Sequence, residues 1–503
     1  MPGLIRYMAK ASFCLNERRC IARDVQGFYG NLILYATYRI DCALEDVALR
    51  GQIDKALRQC IVEHPVLGVV IQDVETEKPQ LYRPSSLLLD EHVRYLETID
   101  TREDDAGTVQ ALLKQVHNEP FAQWHVRPAW RVHILPTTPN GTSQATELHV
   151  AFAYSHALAD GFSGVLFHQT LLRALNTQHS PTPTNESVFQ ISAEDHHLLP
   201  PLEKAATLPI SWSFLLRPLF GEFLPAWIVR ALGMSSEIPD GVWTGAQKRP
   251  PSPTSIQPIR TAVCCRRIPP AHLERALAAC RGHGVRLTGL LAVMVARALA
   301  RALRARGQVR SDFIANLPLD LRRCIPQASH SMANYASGTT ETIHILSKQH
   351  QDHDLTSPES LADEDWATAR RLTERLSEAS NTLADQPVAL LKYLSDFRDW
   401  TTRQIAKPAD SSFELSNVGS FNAASFNPSQ PHRTAEGDWS LRDIVFSQSA
   451  NALGAPFNVN VASTKGGPLA IVLTWWPGML GVEDEESLMD DVADGLVDQM
   501  AHV

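Results

Sequence analysis

Tyr154-Ser155-His156-Ala157-Leu158-Ala159-Asp160-Gly161 sets a histidine, an acid four residues later and a glycine directly after it at the end of an apolar run. Histidine is the side chain best suited to take a proton near neutral pH, because its unperturbed pKa is about 6.5. Asp160 is placed to orient or organise that histidine, and Gly161 lets the backbone turn where a larger residue would strain. Two plainer roles fit the same residues. Asp160 can cap a helix that begins near Gly161, and His156 can be a hydrogen-bonded core histidine.

The flanking pattern shows what must carry these residues. Glu147 to Tyr154 alternates and predicts a strand, so His156 falls just past a strand's end. Phe162, Val165, Leu166, Gln169, Leu172 and Leu175 then recur at helical spacing. A strand–turn–helix with the histidine at its turn presents the ring at a sheet's end, where a pocket can form.

At 503 residues the chain exceeds one ordinary core, and two domains are expected. Hydrophobic residues at 44% and charged residues at 20% fit a soluble globular protein. A net charge of −9 argues against nucleic acid as a partner, since no broad positive field meets phosphates. The eight cysteines form no CxxC pair, which fits reduced thiols in an intracellular, cytoplasmic protein. Met1 to Leu15 lacks the apolar run of a secretory signal. Leu208 to Gly233 is the most apolar region, but Arg217, Glu222, Arg230 and three prolines break it. It reads as a buried crossover rather than a membrane span, with peripheral membrane contact or an acyl entrance as alternatives.

Gly27 to Ile40 predicts a strand, Leu44 to Glu63 a helix ended by His64-Pro65, and Val66 to Ile71 another strand. Ala106 to Val116 is helical in pattern and Trp130 to Leu135 strand-like. From about Thr177 to Pro258 prolines cluster, at Pro181 and Pro183 and again in Lys248 to Pro253, as in a connection. The second half repeats the grammar: strand at Thr261–Ile268, helices at Ala271–Arg281 and Thr288–Arg304, strand at Phe313–Pro318. The boundaries drawn are 1–195, a Pro-rich crossover at 196–258, and 259–503. The expected fold class is α/β (α+β), in two domains of mixed sheet with flanking helices.

Asn316 to Arg323 follows a predicted strand, and Arg322 either pairs with Asp160 across the domains or lies on the surface. Met332 to Gly338 and Leu415 to Gly419 read as small polar turns that suit close approach of backbone or ligand. Arg297, Arg301, Arg304, Arg306 and Arg310 gather positive charge in an acidic chain, either for a nucleotide phosphate or as a solvated helix end. His196-His197 and the pair His350 and His353 lie in polar stretches without zinc-type spacing, and no metal site is expected.

With these residues in view, the chain resembles the chloramphenicol acetyltransferase-like, or condensation-domain, superfamily, whose defining motif is HxxxDG. Within it the chain is similar to the fungal alcohol O-acetyltransferases. The similarity rests on Gly27-Phe28-Tyr29 with Asn31, His64-Pro65, Pro128 with Trp130-Arg131, His156 to Gly161, Asp320-Leu321-Arg322, Asn334-Tyr335 and Ser416 to Gly419. The resemblance implies two acyltransferase-like domains sharing a tunnel, with acetyl-CoA as co-substrate and no tightly bound cofactor. It implies catalytic roles for His156, as general base, and Asp160, the latter mainly structural through Arg322, with Gly161 and Asp320 in support. The plant relatives' DFGWG motif is replaced here by Ser416-Asn417-Val418-Gly419, which leaves the oxyanion donor among Asn334, Ser416, Asn417 and Tyr154. Thr288, Arg297, Arg301 and Arg304 are candidates for contacting coenzyme A. A monomer that acetylates a hydroxyl of a hydrophobic small molecule is the expectation. Amide formation on the same scaffold, or binding without transfer, are the alternatives.

Overall fold

The structure is a computed structural model. It describes residues 4–5, 13–42, 44–96, 105–137, 146–177, 188–191, 198–216, 238–239, 241–246, 260–345, 360–422 and 438–503. The proline clusters at 181–183 and 248–253, both histidine pairs and most of 208–233 lie outside these residues. The described start of that last segment is on the surface, with Trp212 77% exposed, so this part is not the buried crossover expected from its apolar composition.

Two sheets organise the chain. The first has five strands, in the order Ser440–Gln448, Asn31–Ile40, Thr146–Ser155, Trp130–Thr137 and Val93–Tyr95. Its first four strands pair antiparallel, and the short edge strand joins parallel. The Asn31–Ile40 strand is buried on both faces, and alternation sorts its side chains between two cores. Leu32, Leu34, Ala36 and Tyr38 face the core under the Asp46–Glu63 and Gly161–Thr177 helices, while Ile33 and Tyr35 face the other way. On that second face Ala151 and Ala153 of the neighbouring strand are small. The Asp105–His117 helix seats Val109, Leu112, Leu113 and Val116 against them. Val263, Cys265, Ala470 and Val472 of the other sheet join the same cluster, so this helix is shared between the two sheets.

The second sheet has six strands, in the order Ala262–Ile268, Leu469–Trp475, Phe457–Thr464, Phe413–Phe421, Asp312–Asp320 and Ala336–His344. Its core packs against the helices Pro270–His283, Leu287–Ala305, Asp363–Ser380 and Glu485–Ala501. The mixed α/β fold class is as expected.

The structure departs from the sequence reading in parts of two expected turns and one expected strand, while Met332 to Tyr335 stays outside any strand. Ala336–His344 and Phe413–Phe421 are strands, although Met332 to Gly338 and Leu415 to Gly419 carry turn residues. In the second, the turn chemistry survives as a register shift between Asn417 and Ser420, with Gly419 at φ +88°. Val66 to Ile71 begins as a 3-10 turn at Pro65–Gly68, because Pro65 suits a helical start, and only Val70–Gln72 is strand.

Candidate active site

Register places the histidine. Ser155, the last residue of the motif strand, pairs with Asn31, the first of its neighbour, so His156 leaves the sheet at a sheltered end. His156 to Leu158 form a turn, and Gly161–Thr177 is the helix. Gly161 does not have the positive φ that its expected turning role would require. A Cβ there would meet Val418 Cγ1 at 3.0 Å and Phe446 Cζ at 3.1 Å. Close approach of the second sheet and the Ser440–Gln448 strand is what demands glycine here.

Asp160 pairs with Arg322 as expected. Arg322 Nη1 donates to Asp160 Oδ2 at 2.6 Å and to Asp320 Oδ1 at 2.9 Å. Tyr335 N–H also donates to Oδ2, while Oδ1 takes the N–H and hydroxyl of Ser163, which caps the motif helix. Burial alone would raise the Asp160 pKa, but Arg322 and these donors hold it below the usual carboxylate range. Asp320 is raised, by burial and by the Asp160 charge, against the pull of Arg322. These four donors engage both oxygens of Asp160, so its place is to fix the turn.

The partner loop arrives by register too. Asp320 opposes Ala336 in an antiparallel pair, so residues 321–335 are an excursion from one end of that hairpin. It returns Ala333 O to Asp160 N–H at 3.1 Å, and Asn334 Nδ2 to the carbonyl of His156 at 2.7 Å.

The other side of the turn is held by a helix that the sequence reading passed over, Leu15–Val25. Asn16, Arg19, Cys20, Arg23 and Asp24 recur three or four apart, which puts them on one helical face. Asn16 Nδ2 donates to Asn334 Oδ1 at 2.9 Å. Asp24 Oδ2 accepts from Ser155 Oγ at 2.8 Å, and that hydroxyl accepts from Ala157 N–H at 3.1 Å. Gly27, at φ +73°, ends the helix in a left-handed cap and brings Tyr29 beneath Arg23, whose guanidinium lies 4.8 Å from the ring centroid. The Tyr29 ring is in turn 6.2 Å from that of His156, tilted by 48°.

His156 is therefore partly buried, with Nδ1 sealed from solvent and unpartnered. Burial, with the positive field of Arg23, pushes its pKa down to about 4 against the opposing charge of Asp160. Asp24, by contrast, is pushed up to about 7 by burial, despite Ser155 and Arg23.

The remaining candidates divide. Asn334 is fully buried and committed to His156 and Asn16, and the Tyr154 hydroxyl donates to Asp160 O at 2.8 Å. Both are framework rather than free oxyanion donors. Asn417 Nδ2 gives one of its two N–H donors to Thr288 Oγ1 at 3.1 Å, while Ser416 is half-buried beside it. Arg297 is buried against Asp365, and Arg306 is paired with Asp491. Arg301 and Arg304 lie 13 and 16 residues beyond Thr288 in one helix, about 20–24 Å along its axis. The four coenzyme-A candidates do not converge. A recess lined by Asp24, Tyr29, Asn31, His117, Thr261 and Ser449, from both halves of the chain, shares Tyr29 with the surroundings of His156, which does not itself line it.

The two-sheet fold, with its HxxxDG turn locked by an arginine from the second half, is that of an acyltransferase by its family. The family model for alcohol acetyltransferase matches residues 16–492, and the chain belongs to that family. It is 24% identical over 450 residues to the probable alcohol acetyltransferase FCK4 of Fusarium pseudograminearum, covering 88% of this chain and 84% of that protein. Identity to the probable alcohol acetyltransferase crmB of Aspergillus fumigatus is 24% over 486 residues, covering 93% and 95%. The fold matches the trichothecene 15-O-acetyltransferase TRI3 of Fusarium sporotrichioides, with a TM-score of 0.64, 12% identity and 99% of each chain covered. It also matches the first condensation domain of the calcium-dependent antibiotic synthetase, at TM-score 0.56, 14% identity and 97% and 96% coverage. Among the described residues no helix is long and apolar enough to cross a membrane.

Proposed function

We propose that this acyltransferase moves acetyl from acetyl-CoA to the hydroxyl of a hydrophobic small molecule, of terpenoid or polyketide type or a simple alcohol, with His156 as general base. The observation that carries the reading is the His156 imidazole at the start of a turn fixed from three elements, by Arg322, by Asn334 and by Asp24 through Ser155, with burial keeping the ring neutral. At neutral pH it is free to accept. It would take the acceptor's O–H proton as the oxygen attacks the thioester carbonyl carbon. The tetrahedral species then loses the C–S bond, and the proton passes from His156 to the departing thiolate, leaving an ester and free CoA. Both substrates meet in one ternary complex, so no acyl-enzyme forms, and positioning supplies much of the rate. The name of TRI3 records acetyl transfer to a hydroxyl of a trichothecene, which supports a hydrophobic acceptor here. Cytoplasmic action as a monomer is part of the same reading.

His156→Ala should reduce acetyl transfer by about 10²–10⁴-fold with an unchanged melting temperature. A folded variant with near-normal kcat would remove the assigned role.

A further inference from the structure

Four arginines of the described residues are more than nine-tenths buried. Arg322 holds Asp160 and Asp320, Arg297 holds Asp365, and Arg83 is also engaged. Arg23, 7% exposed, has no carboxylate of the described residues within 4.0 Å. Its Nη2 reaches the Cys20 sulfur at 3.2 Å, a weak acceptor, and its Nε is sealed without a partner. The Tyr29 face offsets part of the charge. Arg19, one turn earlier, is similar: Nη2 donates to Asn16 Oδ1 at 2.7 Å, and Nε is buried and unpartnered. The nearby acids are engaged elsewhere. Glu414 accepts from Gln448 and Asn316, and Asp24 from Ser155. A buried cation without an ion-pair partner is costly, and one whose field reaches His156 gains when an anion arrives beside that ring.

We infer that Arg23, backed by Arg19, receives a negatively charged oxygen that comes with the substrates beside His156, either a carboxylate carried by the acceptor alcohol or the oxyanion formed on the thioester carbonyl. The inference rests on the general-base reading and names the charge of the species that His156 meets.

Arg23→Met and Arg23→Lys test it, read by melting temperature with hexanoate or hexanamide and by acetyl-CoA turnover. The methionine variant without ligand should melt at or above the wild-type temperature, because an unmatched charge has been removed. If the carboxylate is the source, hexanoate but not hexanamide raises the wild-type melting temperature, and the rise is absent in Arg23→Met. If the oxyanion is the source, hexanoate has no effect, and kcat falls about 10²–10³-fold in Arg23→Met with the KM for acetyl-CoA unchanged. Arg23→Lys keeps the charge and loses the forked donors, so it should fall between the two. A methionine variant that is unfolded makes Arg23 structural, and one with wild-type kcat and hexanoate response leaves it without the role; either overturns the inference. Activity surviving in His156→Ala would instead strike the general-base reading, whatever the Arg23 variants do.

Discussion

The two carboxylates that hold the histidine turn live in opposite surroundings. Asp160 takes four donors, one of them a guanidinium, and its pKa lies below the usual range. Asp24 takes one hydroxyl, and burial lifts it to about 7. The same residue type is thus a permanent anion on one side of the turn and a titrating group on the other. The paired charge of Arg322, with the donors after it, decides which, more than depth does.

The largest expected effect breaks the saturated side. Asp160→Ala leaves Arg322 buried with only the half-exposed Asp320, and should cost about 3–5 kcal/mol in chemical denaturation. Loss of activity with a normal unfolding midpoint would instead give Asp160 a direct chemical part.

Acid should act next, through the buried histidines. Burial holds His64, His92, His117, His133, His156 and His168 well below 6.5. The unfolded chain binds protons first, so stability is full above pH 6.5 and is lost as pH falls towards 4. A melting temperature flat from pH 7 to pH 4.5 would contradict this burial. Catalysis through His156 should share the acid limb, since protonation near pH 4 removes the base.

Gly161→Ala probes the contact that brings the second sheet onto the turn. Its Cβ would press on Val418 and Phe446, for about 1–3 kcal/mol. An unchanged unfolding midpoint would show that the two side chains give way freely.

A pH-dependent effect sharpens the contrast itself. Because the Asp24 pKa is raised on folding, its penalty is absent below about pH 4, grows between pH 4 and 7, and is full above 7. Asp24→Asn should therefore stabilise the protein clearly more at pH 8.5 than at pH 5, in melting scans at both values. Equal shifts at the two pH values would mean that Asp24 does not titrate there.

Much of this was legible in the chain. Alternation to Tyr154 and helical spacing from Phe162 located the turn, and the Asp320-Leu321-Arg322 segment supplied its partner. The Leu15–Val25 helix was not read, because its inward face is polar and a search for apolar stripes passes it by. The spacing of Asn16, Arg19, Arg23 and Asp24 was the available signal. Ser416 to Gly419 misled because sheet context overrode local turn chemistry. Asn334 and Tyr154 looked free as polar residues in a motif, but sequence does not show which hydrogen bonds are already taken.

The Ser440–Gln448 strand carries a consequence for how this protein is made. It borders Asn31–Ile40, so the sheet that carries the histidine stays open along that side until residue 448 has left the ribosome. Until then a nascent chain holds out a long apolar ribbon with unpaired amides, the kind of surface that recruits foreign strands. Neither sheet arrangement can finish alone, and the histidine turn is set only when residues through 448 have been synthesised.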